Sequence, residues 1–144
     1  MSQVDFYLLN SPEEHHRDSF ICRLVEKIYR QRHSVFIHCK DRQETHRLDE
    51  LLWTFQDISF IPHNLYGEGP DSPPPVQLGF DSTPQQNGVL INLCTTIPIF
   101  YASFQRILEV IPQDEALQAI AREHYQFYKT QNFALNTHKI QTQG

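Results

Sequence analysis

The chain has 144 residues, a hydrophobic fraction of 40% and a formal net charge of −5. That length suits one domain with a real core, and the acidic balance argues against a protein that grips nucleic acid unaided, which carries a basic face. A local basic patch stays open, because net charge does not report where charges sit.

No apolar run reaches the roughly 18 residues of a membrane helix. The N-terminus lacks the basic-then-apolar order of a signal peptide. Cys22, Cys39 and Cys94 fall in expected core elements and read as reduced structural thiols of a cytosolic protein.

Val4 to Leu9 reads as the first strand. Ser11-Pro12-Glu13-Glu14 then predicts a helix start: Ser11 as cap, Pro12 at the first helical position, Glu14 completing a capping box. This helix is expected to run to about Arg32, with Phe20, Ile21, Leu24, Val25 and Ile28 as its buried stripe. Val35-Phe36-Ile37-His38-Cys39 is almost wholly apolar, as strands covered on both faces are. Asp41 and Glu44 predict a second capped helix to about Phe55, with Leu48, Leu51, Leu52 and Phe55 inward and Trp53 off the stripe.

A third strand is expected over Asp57–Ile61, a fourth over Val76–Phe80 and a fifth over Val89–Leu93. A helical turn around Pro98–Phe104 follows. Ile107–Ile111 reads as the last core strand, with a continued helix as the competitor. The final helix spans about Asp114 to Thr130 and carries two stripes. Leu117, Ile120, Ala121, His124 and Tyr128 should pack on the sheet; Gln118, Arg122, Tyr125, Gln126 and Lys129 lie about 120° round. Residues from Gln141 read as a frayed tail. Strands alternating with helices predict a single α/β domain over 1–144, a mainly parallel twisted sheet flanked by helices.

Phe60-Ile61-Pro62-His63-Asn64-Leu65-Tyr66-Gly67-Glu68-Gly69-Pro70 reads as a loop built to present something. Gly67 and Gly69 permit unusual backbone angles, and Pro62 cannot donate to a ladder. It is not a nucleotide loop. No third glycine or helix start follows, prolines do, and Glu68 would repel a phosphate. Eight histidines lack any paired zinc spacing, so no metal is expected. A catalytic set can be drawn with His63 as base, Asp49 or Glu50 orienting it and Cys39 or Cys94 as nucleophile, but no local signature supports it. The plainer reading has the His63 ring bonding backbone and shaping the loop.

Two binding surfaces remain. Arg122 beside Tyr125 can take a carboxylate while an apolar side chain packs on the ring, with Ile111 as floor; the competing reading is a solvated helix face. Trp53, Phe60, Leu65 and Tyr66 form an aromatic cluster suited to an interface core, or to covering a sheet edge.

The loop from Phe60 to Pro70 resembles the signature loop of the chi subunit of bacterial DNA polymerase III. So do Asp5-Phe6-Tyr7-Leu8-Leu9, Arg47-Leu48-Asp49-Glu50-Leu51-Leu52-Trp53, Ala121-Arg122-Glu123-His124-Tyr125 and Phe133-Ala134-Leu135-Asn136-Thr137, in order and across almost the whole chain. The resemblance implies a Rossmann-like fold without a nucleotide site, no cofactor and no catalysis. It implies a cytoplasmic replisome adaptor joining the clamp loader, through the psi subunit, to the acidic C-terminal tail of single-stranded DNA-binding protein, so that contact with DNA is indirect. Its tail site corresponds to Ile111, Arg122 and Tyr125, and its psi-facing site to Trp53, Phe60 and Leu65. Gln118 and Gln126 stand where the best-known members have lysines, with Lys129 and Arg106 as candidate compensation. Weaker and less salt-sensitive tail binding is therefore expected. Two alternatives are an accessory subunit of a helicase-like repair protein acting through the Phe60 surface, and a small hydrolase using His63.

Overall fold

The computed structural model describes residues 2–54, 61–69, 74–84 and 87–141. The strands are β1 (Gln3–Leu9), β2 (Val35–His38), β3 (His63–Leu65), β4 (Val76–Gly79), β5 (Val89–Asn92), β6 (Arg106–Ile111) and β7 (Ala134–Ile140). The helices are α1 (Glu14–Arg30), α2 (Arg42–Thr54) and α3 (Glu115–Thr130), with a 3-10 turn at Tyr101–Ser103. The strands form one sheet in the order β3-β4-β2-β5-β6-β1-β7, and every pairing is parallel.

Both faces of the sheet are covered, which is why its central strands read as unbroken apolar runs. Val35, Ile37, Ile91, Leu108 and Val110 point to the face where Phe20, Ile21, Leu24, Val25 and Ile28 of α1 pack with Leu48 and Leu52 of α2. The alternate residues Val4, Phe6, Phe36, Leu90, Ile107 and Ile111 meet Ala121 and Tyr128 of α3, together with Phe104, on the other face. The period-2 alternation thus splits each strand between two cores.

Two expectations are corrected, a third falls mostly outside the described residues, and one strand was not foreseen. The Ser11 hydroxyl accepts the Glu13 N–H at 3.1 Å and bonds His16 Nδ1 at 2.6 Å, so Glu13 becomes the N-cap and the helix starts at Glu14. The hydroxyl is used in a local turn instead of a cap. The helix stops at Arg30 because Arg32 turns left-handed (φ 65°). There the Arg32 N–H donates to Tyr29 O and the His33 N–H to Ile28 O, the Schellman pattern that satisfies the last carbonyls. Of the strand expected over 57–61, residues 57–60 lie outside the described residues, as does Phe55. Ile61 is irregular, and β3 begins two residues later at His63. Finally, β7 was not expected. Its residues alternate weakly, because an edge strand leaves half its surface in water, and their burial comes from pairing with β1 across the chain.

The expected second cap forms: Asp41 Oδ1 accepts the Glu44 N–H at 2.8 Å, while Glu44 Oε1 accepts from the Lys40 N–H at 2.9 Å. Residues 106–111 are strand, not helix.

Candidate functional site

Helix α3 is set against β6 by a buried polar cluster. Glu109 of β6 accepts from His124 Nδ1 at 2.8 Å, from the Tyr128 hydroxyl at 3.1 Å and from Asn92 Nδ2 at 3.3 Å. His124 Nε2 donates to the Thr95 carbonyl at 3.0 Å. Both ring nitrogens therefore face acceptors. Burial alone would lower the His124 pKa, but the bond to Glu109 and its charge overcome that and raise it. Asp114 caps the helix, its Oδ1 accepting the Leu117 N–H at 3.0 Å.

With α3 held at this rotation, its second stripe borders a groove of about 380 Å³. Gln118, Ala121, Arg122 and Tyr125 form one wall, Phe6 and Leu8 of β1 the floor, and Thr137 of β7 the outer lip. The Tyr125 ring is half-buried, with its centroid 5.7 Å from that of Phe6. Arg122 is exposed at the rim. A cation over an apolar trough can hold an apolar side chain and a carboxylate on the same residue.

Ile111 does not line this groove. It is 8% exposed, pairs in register with Leu8 and borders a separate cavity of about 40 Å³ beside Cys94, Thr95 and His124. Phe6 and Leu8 occupy the floor that Ile111 was expected to supply. Gln118 lines the groove; Gln126 and Lys129 are exposed further along α3 and do not. Arg106 cannot reinforce the rim. It lies on the opposite sheet face, its Nε donating to Asp5 Oδ2 at 2.8 Å. Phe6, Leu8 and Thr137 were missed: alternation puts Phe6 and Leu8 on one face, yet nothing local says that α3 crosses it.

The aromatic loop divides between two faces. Trp53 is 55% exposed on α2, beside Glu50 and Leu51 in a broad groove between α1 and α2 of about 750 Å³. Its ring lies 4.6 Å from that of His63, and Leu65 packs into the same core as α2. Tyr66 is on the far side of the sheet, edge-on to Phe36 at 5.7 Å. Phe60 lies outside the described residues.

The loop's shape is locally determined. Glu68 N–H donates to Leu65 O at 3.0 Å, closing a turn whose third residue, Gly67, has φ 86°. Gly69 has φ 94°, and a Cβ there would collide with the Asn64 amide, which donates to Glu68 O at 2.7 Å. Pro62 is half-buried just before His63. His63 is buried, with Nδ1 donating to Ile61 O at 2.6 Å and Nε2 3.2 Å from the Asp49 carbonyl and 3.3 Å from its carboxylate. Its ring thus ties the loop to α2. Burial pushes the Cys39 thiol up to about 12 and the Cys94 thiol up to about 11, which leaves both poor nucleophiles at neutral pH. Among the described residues, no three His, Cys, Asp or Glu side chains converge as a metal site would need.

Residues 1–136 match the family described as DNA polymerase III chi subunit, HolC. The chain belongs to the DNA polymerase III chi family. It is 37% identical to DNA polymerase III subunit chi of Pseudomonas aeruginosa over 141 residues, covering 97% of this chain and 98% of that one. The chi subunit of Escherichia coli is 32% identical over 143 residues (95% and 97% covered), and that of Haemophilus influenzae 33% over 139 (95% and 96%). Among solved structures, bacteriophage T4 UvsW shares the fold at a TM-score of 0.67 and 8% identity. The match takes in 96% of this chain and only 41% of UvsW. Membership of the chi family makes this chain a subunit of a DNA polymerase holoenzyme.

Proposed function

We propose that this chi-family chain is a non-catalytic adaptor: it holds the C-terminal tail of single-stranded DNA-binding protein in the α3 groove and joins it, through psi, to the clamp loader in the cytoplasm. The observation that carries the reading is the groove itself, an apolar floor of Phe6 and Leu8 beneath the Tyr125 ring, with Arg122 at its mouth. A tail ending in an aromatic residue offers both matching parts, a ring for the floor and a terminal carboxylate for the guanidinium. The psi contact is assigned to the surface around Trp53 and Leu65.

Calorimetric titration of a peptide ending in Asp-Ile-Pro-Phe tests the tail site. Arg122 is exposed, so the charge pair forms at a wet rim, and Arg122→Ala should weaken binding by about tenfold to a hundredfold, or about 1.4–2.7 kcal/mol. Neutral Gln118 beside the rim predicts a shallow salt dependence. No saturable binding to the wild-type chain would remove the adaptor reading.

A further inference from the structure

The 12 cations of this chain are unevenly spread. Four of them, Arg23, Lys27, Arg30 and Arg32, lie within residues 23–33, against one carboxylate, Glu26. That segment carries +3, and the rest of the chain therefore −8. All four are exposed, as is His33. Arg23, Lys27 and Arg30 recur every three or four residues, so they form a ridge about 10 Å long on the outer face of α1. The ridge runs into a cavity of about 590 Å³ lined by Tyr29, Arg30, Arg32, His33, Ser34 and Pro75.

Cations at a helix C-terminus also complement its dipole. That explains Lys27 and Arg30. It does not explain Arg23, two turns earlier, or Arg32 and His33, which lie beyond the helix. The Lys27, Ile28 and Tyr29 carbonyls already accept from the N–H groups of Gln31, Arg32 and His33, so they need no charge. Glu26, 3.6 Å from Arg30 Nε, offsets only one of the four.

We infer that this ridge and cavity form a direct binding surface for the sugar–phosphate backbone of single-stranded nucleic acid. Charge complementarity selects a polyanion on a chain that would otherwise repel one. The half-buried Tyr29 ring and Pro75 wall the cavity with surfaces on which a base can rest, which a duplex cannot offer. A subunit of a DNA polymerase works where such strands are exposed. The surface lies on α1, across the sheet from the α3 groove, so both can be occupied together.

The test is fluorescence anisotropy of a labelled 20-nucleotide oligo(dT) at 50 and 200 mM salt. The wild-type chain should bind in the range of about 1–100 μM at low salt, with a log–log salt slope of about −2 to −3 for four cations. Arg23→Gln/Lys27→Gln/Arg30→Gln/Arg32→Gly should lose at least tenfold and flatten the slope. Arg32→Gly alone should bind more weakly while its Tm rises, which separates lost contact from lost folding. Arg122→Ala should bind the oligonucleotide as wild type does. Absent or salt-insensitive binding, or an unaffected quadruple variant, would overturn the inference. So would tighter binding of a 20-base-pair duplex, or loss of the Asp-Ile-Pro-Phe peptide in the quadruple variant, which would reassign the ridge to an acidic protein.

Discussion

Glu109 is 2% exposed, and three side chains from α3 and β5 converge on it. An ionised carboxylate is tolerated there because His124 supplies charge while Tyr128 and Asn92 fill its remaining lone pairs. Glu109→Ala leaves His124 Nδ1 and the Tyr128 hydroxyl without their acceptor, while Asn92 Nδ2 keeps the Thr96 carbonyl at 3.1 Å, and should cost about 3–5 kcal/mol, read as a lower urea midpoint. The pairing also has a pH signature. The folded His124 pKa is raised above the unfolded value of about 6.5, so its stabilisation is complete below that pH and is lost as pH rises through the folded pKa. The stability gap between wild type and His124→Gln should be widest near pH 6 and narrow toward pH 9. A gap that does not change with pH would mean that the ring is held neutral.

At the scale of the element, helix ends decide most of the local accounting. Arg32 holds a left-handed conformation that costs a residue with a Cβ about 1–2 kcal/mol, and Asn132 does the same at the end of α3 with less strain. Arg32→Gly removes that cost and adds about 0.5–1 kcal/mol of unfolded-state entropy. The net should be a gain of about 0.5–1 kcal/mol, visible as a Tm about 2–3 °C higher. At the other end of α3, Asp114→Ala leaves the Leu117 N–H without its acceptor and should cost about 1 kcal/mol. Its effect on peptide binding should be small, because Glu109 and Thr95 still fix the rotation of α3.

Considered whole, the molecule closes on its last strand. β7 pairs with β1 over Gln3–Leu9, and Thr137 gives the groove its outer lip. A chain ending at residue 133 would lose that pairing and expose β1, with Val4, Phe6, Tyr7, Leu8 and Leu9, as an apolar edge. Such a chain should aggregate in light scattering and lose the cooperative melt. The α3 groove and the basic ridge of α1 lie on opposite faces of the one sheet.

By itself the sequence determined the alternation of strands and helices, the apolar runs of β2 and β5, the Asp41 cap and the polar stripe of α3, because each is set by residues within one or two turns of each other. It also carried the family likeness. The tertiary structure decided which residues that stripe would face. Ile111 and Phe6 are equally apolar in sequence. Only the order β6-β1-β7 puts Phe6 and Leu8 under Arg122 and buries Ile111 beside them. Likewise Leu65 and Tyr66 read as one cluster, yet the sheet passes between them, since neighbouring residues of an extended chain send their side chains to opposite faces. Local pattern reports how a segment is buried; what it is buried against depends on pairings made across the whole chain.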